Sequence, residues 1–69
     1  MKKGYGNIIK ALRAENKLSQ AKLASMVGVT QQCVSEWEKE SIEPTLSNLW
    51  ALADIFSISI DVLVGRKEY

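Results

Sequence analysis

The 69-residue chain has no histidine, one cysteine and one proline, and each shortage removes a class of chemistry. Without histidine there is no imidazole to act as a general base, and Cys33 has none beside it to make a nucleophilic thiolate. A Cys/His zinc site lacks its ligands, and one cysteine closes no internal disulfide. Carboxylates remain, but so short a chain hardly walls off a dry pocket around them, which points away from an enzyme and to no cofactor or metal. No apolar run approaches the roughly 18 residues of a membrane span. Met1-Lys2-Lys3-Gly4 leads into a polar segment, not a signal-peptide core. The expectation is a reduced, cytoplasmic protein away from membranes.

What is present, 46% hydrophobic and 25% charged residues, fits a single domain over 1–69 with its core at about 6–65 and short polar tails. A core of this size supplies only about 3 to 5 kcal/mol without help. With disulfide and metal excluded, helix packing and dimerisation are left. Charge is segregated along the chain. Lys2, Lys3, Lys10, Arg13, Lys17 and Lys22 stand against Glu15 in the first third. From Leu23 to Gly65, Lys39 stands against Glu36, Glu38, Glu40, Glu43, Asp54 and Asp61. Such a dipolar chain can set a basic face on a polyanion, although two ordinary solvated faces would read the same way.

Punctuation predicts helices and no strands. The first runs from about Tyr5 or Asn7 to Glu15, with Tyr5, Ile8, Ile9 and Leu12 on one side, and ends at Asn16 and Lys17. Ser19 caps a second over Gln20 to Met26, burying Leu23, Ala24 and Val27, and Gly28 supplies the positive φ of a sharp turn. Thr30 caps a third over Gln31 to Lys39, with Val34 and Trp37 inward. Pro44 marks the end of the next connection. Thr45 caps a fourth over Leu46 to Phe56, whose Leu46, Leu49, Leu52, Ala53 and Phe56 share a face. Ser59 caps a last short turn carrying Ile60 and Leu63, which Gly65 stops. Five short helices with brief connections make a compact all-α domain.

The stretch Gln20 to Glu38, QAKLASMVGVTQQCVSEWE, resembles the helix-turn-helix of the Cro/cI repressor class, the XRE family. The family pattern wants Ala where two helices approach, here Ala24, Gly at the turn, here Gly28, and apolar residues at Leu23, Val27, Val29, Val34 and Trp37. All seven positions match. The resemblance runs from about Gly6 to Gly65: LRAENKLSQ is similar to the family's first helix and lead-in, EPTLSNLWALADIF to its fourth helix, and SISIDVLVG to its closing turn. It implies a five-helix lambda-repressor-like domain whose second and third helices form the helix-turn-helix.

By position, the resemblance implies that the third helix enters the major groove of double-stranded DNA. Gln31, Gln32 and Glu36 would then face the bases, with Ser35 and Cys33 at the edge of that surface. A glutamine amide donates and accepts together, matching N6 and N7 of adenine. Gln20, at the start of the second helix, is expected to favour a phosphate and to brace Gln31. Ser19, Thr30, Lys39 and Ser41 are the neighbouring phosphate candidates, with Lys10, Lys2 and Lys3 adding charge. Arg13 and Glu38 match a family ion pair between the first and third helices. Cys33 reads as a small packing residue.

Two departures stand beside these matches. Many relatives follow the glutamate at position 38 with Gly and a basic residue, where this chain has Lys39-Glu40-Ser41-Ile42-Glu43-Pro44, and Glu40 and Glu43 would repel a phosphate they faced. Glu36 is acidic where the groove is expected. One recognition helix reads few base pairs, so a homodimer, formed at least on DNA, is expected, with Trp50, Ile55, Val62 and Val64 as its candidate surface. The reading that results is a transcriptional regulator, a repressor on an inverted-repeat operator. The alternative is the same fold used as a protein-interaction module, such as an antitoxin or adaptor.

Overall fold

The computed structural model describes residues 3–66; the expected roles of Lys2 and of the tail at 67–69 lie outside them. Four of its helices begin alike. Ser19 Oγ accepts the Lys22 N–H at 3.0 Å, Thr30 Oγ1 that of Cys33 at 3.2 Å, Thr45 Oγ1 that of Asn48 at 3.2 Å, and Ser59 Oγ that of Val62 at 3.3 Å. Each hydroxyl satisfies one of the backbone donors that a helix start leaves without an intrahelical partner. These caps open α2 (Gln20–Val27), α3 (Gln31–Lys39), α4 (Leu46–Phe56) and α5 (Ile60–Leu63). The remaining helix, α1 (Tyr5–Glu15), starts at Gly4, which has no side chain to cap with.

All five helices end in one way. The residue after each last turn takes the left-handed conformation: Lys17 (φ 56°), Gly28 (92°), Glu40 (61°), Ser57 (55°) and Gly65 (81°). The following N–H then closes back on the carbonyl five residues earlier. Leu18 to Arg13, Val29 to Ala24, Ser41 to Glu36 and Ile58 to Ala53 are each 3.0 Å, and Arg66 to Asp61 is 2.8 Å. This Schellman closure also folds Leu18, Val29 and Ile58 against the core.

The core is one cluster around Trp37, with Ile9, Leu12, Leu23, Val34, Leu52 and Leu63 fully buried beside it. α3 packs against both α1 and α2, α4 against α2 and α5, and α5 returns to α1. Ala24, on α2, is buried in the core. The element order and the all-helical class match the expectation. α2 extends one residue further than expected, to Val27, which is half-buried against the core, as is Ile8.

Leu46 departs from the expected core face of α4, being 68% exposed. It is the first helical residue, at the border of the arc formed by Leu49, Leu52, Ala53 and Phe56. Trp50, one turn on, is 61% exposed. Of the other residues of the expected dimer surface, Ile55 and Val64 are half-buried and packed on the core, and Val62 is half-buried.

Candidate nucleic-acid interface

The groups expected to meet a duplex are spread over α1, the start of α2 and the length of α3. Gln31 and Gln32 are both exposed in the first turn of α3, and Ser35 and Glu36 are half-buried one turn further on. Cys33, between them, packs partly against the core. An exposed amide at a helix start is free to turn its donor and acceptor toward an incoming base edge. Ser19 and Thr30 are exposed beside these residues. Each uses its oxygen to accept from a backbone N–H, which leaves the hydroxyl hydrogen available to an acceptor such as a phosphate. Lys10 and Lys39 are exposed cations on α1 and α3.

Behind this surface a polar lock sets the angle of α3. Arg13 of α1 donates from Nε to Glu38 Oε2 at 2.7 Å and from Nη2 to Oε1 at 3.2 Å, and its Nη1 donates to the Leu18 carbonyl at 2.9 Å. Gln20 of α2 donates from Nε2 to the same Glu38 Oε1 at 3.0 Å. One carboxylate thus joins α1 and α2 to α3, and Arg13 ties the α1–α2 turn to it. The hydrogen bond to Glu38 is the main reason the Arg13 guanidinium is held above its ordinary pKa, against the opposing effect of burial.

Gln20 was expected to brace Gln31, and the lock gives it a different partner. The Gln20 amide nitrogen is directed to Glu38, because an ionised acceptor forms a stronger hydrogen bond than a neutral amide. Ser41 is likewise engaged at the end of α3, where its N–H at 3.0 Å and its hydroxyl at 3.3 Å both reach the Glu36 carbonyl.

Glu40 was expected to repel a phosphate only if it faced one. It does not stand outward as a repulsive charge. Its Oε2 accepts the Gly4 N–H at 2.7 Å and the Gly6 N–H at 2.9 Å, closing the uncapped start of α1 from 34 to 36 residues away. A carboxylate is favoured there by the positive end of the helix dipole. Gly6 permits the approach: a Cβ on it would stand 2.5 Å from the Glu38 carbonyl oxygen and 2.8 Å from that of Trp37. The signal was legible in principle, since Gly4-Tyr5-Gly6 opens a helix without a Ser, Thr, Asp or Asn cap and so calls for a remote acceptor.

The helix-turn-helix family model matches residues 9–63. Repressor protein C2 of Salmonella phage P22 is 41% identical over 59 residues, 86% of this chain and 27% of that protein. The crystal structure of the P22 c2 repressor in complex with a synthetic operator superposes with a TM-score of 0.84 at 39% identity, covering 90% of this chain and 94% of that one. An (S)-2-hydroxypropylphosphonic acid epoxidase of Streptomyces wedmorensis is 36% identical over 61 residues, 87% of this chain and 31% of the enzyme. The chain therefore spans about a third or less of the two full-length relatives named. Because the family match takes in α2, the turn and α3 together with the helices that carry them, the chain belongs to the helix-turn-helix family, in its Cro/cI (XRE) class.

Proposed function

We propose that the chain is a sequence-specific DNA-binding transcriptional regulator, a repressor that occupies an inverted-repeat operator as a dimer formed at least on the DNA. The carrying observation is that Gln31 and Gln32 are exposed at the start of a helix whose far end is locked to α1 and α2 through Glu38. Base reading requires donors and acceptors held in fixed register, and the lock supplies that rigidity. In the proposed complex Gln31 pairs with an adenine. Glu36 accepts from a cytosine amino group. Ser19, Thr30, Lys39, Lys10 and the start of α2 hold phosphates. A bound dimer excludes polymerase from the site. The superposition on a repressor that was crystallised with a synthetic operator supports this reading.

The same module forms part of an epoxidase, so its fold does not by itself separate a regulator from an enzyme. The base-matching amides of α3 favour the regulator. Leu46 and Trp50, both exposed on α4, favour a second reading, an interaction module such as an antitoxin or adaptor, and leave Trp50 as the strongest member of the candidate dimer surface.

Selection from a random duplex pool, followed by anisotropy titration, tests the proposal. Enriched sites should be inverted repeats with half-site centres about 10 to 10.5 base pairs apart, each binding two chains. Log K against log salt should fall with a slope of about −4 to −6. Salt-independent binding, or no enrichment, would favour the interaction module.

A further inference from the structure

Glu40 occupies a left-handed position, φ 61°, where glycine is at ease and a glutamate is strained. The closing bonds at the end of α3 hold it there, as those ending α1 and α4 hold Lys17 and Ser57. Here the carboxylate is bound to the Gly4 and Gly6 N–H groups, which fastens the start of α1 to the end of α3. One cleft results, lined by Lys3, Tyr5, Lys39, Glu40 and Glu43. Lys3 and Lys39 are exposed on it. The Glu40 charge is turned onto backbone donors and the positive end of α1, while Glu43 lies on the same cleft and moderates its potential.

We infer that Glu40 is a positioning residue for DNA binding: its latch on Gly4 and Gly6 brings Lys3, ahead of α1, to the same cleft as Lys39, so that both cations meet the phosphate backbone beside the end of α3. The inference rests on the DNA-binding reading, in which Lys3 already adds charge, and adds the role of Glu40 in placing it beside Lys39. It also inverts the expected effect of an acidic turn. Glu40 strengthens phosphate binding by what it holds in place.

Glu40→Gly removes the carboxylate but suits the backbone, so the closing bonds from residues 40 and 41 to Trp37 and Glu36 persist. Glu40→Gln keeps one acceptor oxygen. In the free protein, Glu40→Gly should speed amide exchange at Gly4 and Gly6 by about tenfold or more and leave the urea midpoint nearly unchanged. On a random duplex it should weaken binding by about tenfold and make the salt slope shallower by about one unit, with Glu40→Gln falling between. Lys3→Ala should weaken the parent severalfold and the Glu40→Gly variant much less.

Parental affinity and slope in Glu40→Gly would overturn the inference, as would a loss of affinity that only tracks a lowered urea midpoint. So would a Lys3→Ala effect of equal size in both backgrounds. If the parent binds no duplex, the DNA-binding reading falls and takes the phosphate role of the lysines with it, while the exchange data still decide whether the latch exists.

Discussion

Arg13 and Glu38 form a two-pronged ion pair, at 2.7 and 3.2 Å, in which the carboxylate is 6% exposed and the arginine 17%. At such burial the pair does not behave as a surface salt bridge. Removal of one partner strands the other charge among packed helices, at a cost of about 3 to 5 kcal/mol. Arg13→Ala and Glu38→Ala should each lower the urea midpoint strongly, and the double variant should cost clearly less than their sum. Simple additivity would show that the two residues do not act as a unit.

Gln31 and Lys39 should separate base reading from phosphate holding. Gln31→Ala should cost about 1 to 3 kcal/mol on the preferred site and almost nothing on random duplex. Lys39→Ala should weaken both alike and reduce the salt slope by about one unit. Glu36→Gln should change the preference at one base pair without weakening binding to random DNA. Equal losses for Gln31→Ala on both kinds of duplex would mean that α3 does not read bases.

Gly6 should tolerate no side chain. Because the obstructing atoms are backbone carbonyls of α3, Gly6→Ala must push α1 and α3 apart and should destabilise by about 1 to 3 kcal/mol or more. Gly4→Ala meets no atom but demands a strained φ of 110°, so its cost should be smaller, about 1 kcal/mol. Urea unfolding of the two variants decides the order, and equal midpoints would contradict the close approach.

Tyr5 carries a pH dependence. Burial, and then the charges of Glu40 and Glu43, hold its hydroxyl above its ordinary pKa of 10.0. The unfolded chain therefore ionises Tyr5 first. Stability from this group is complete below pH 10 and is lost as pH rises through the folded value. Thermal unfolding followed from pH 8 to about 11 should show a decline that Tyr5→Phe reduces. Identical profiles for the two proteins would exclude Tyr5 as its source.

The parts legible in the sequence are those carried by short-range chemistry. Ser19, Thr30, Thr45 and Ser59 each announce a helix because cap and capped N–H are three residues apart. Gly28 and Gly65 announce their turns because a positive φ suits them. Lys17, Glu40 and Ser57 adopt the same conformation unannounced, since closing bonds and packing outweigh a modest local cost. Leu46 has core-like spacing along α4, but periodicity does not show where neighbouring helices stop. For the site, Gln31 and Gln32 could be placed on an exposed turn. The partner of Gln20 and the destination of Glu40 depend on side chains from other helices, which the chain brings near only after folding.

The capping of α1 by Glu40 also bears on the order of assembly. Helices α2 to α5 carry their own starting caps and can form these as soon as each segment exists. The first turn of α1 is completed by a residue 34 to 36 positions further along. At about 5 to 20 residues per second, a growing chain waits roughly two to seven seconds between making Gly4 and making its partner. The first turn of α1 is thus secured only after Glu40 has been made, and its docking reports that α3 is already in place.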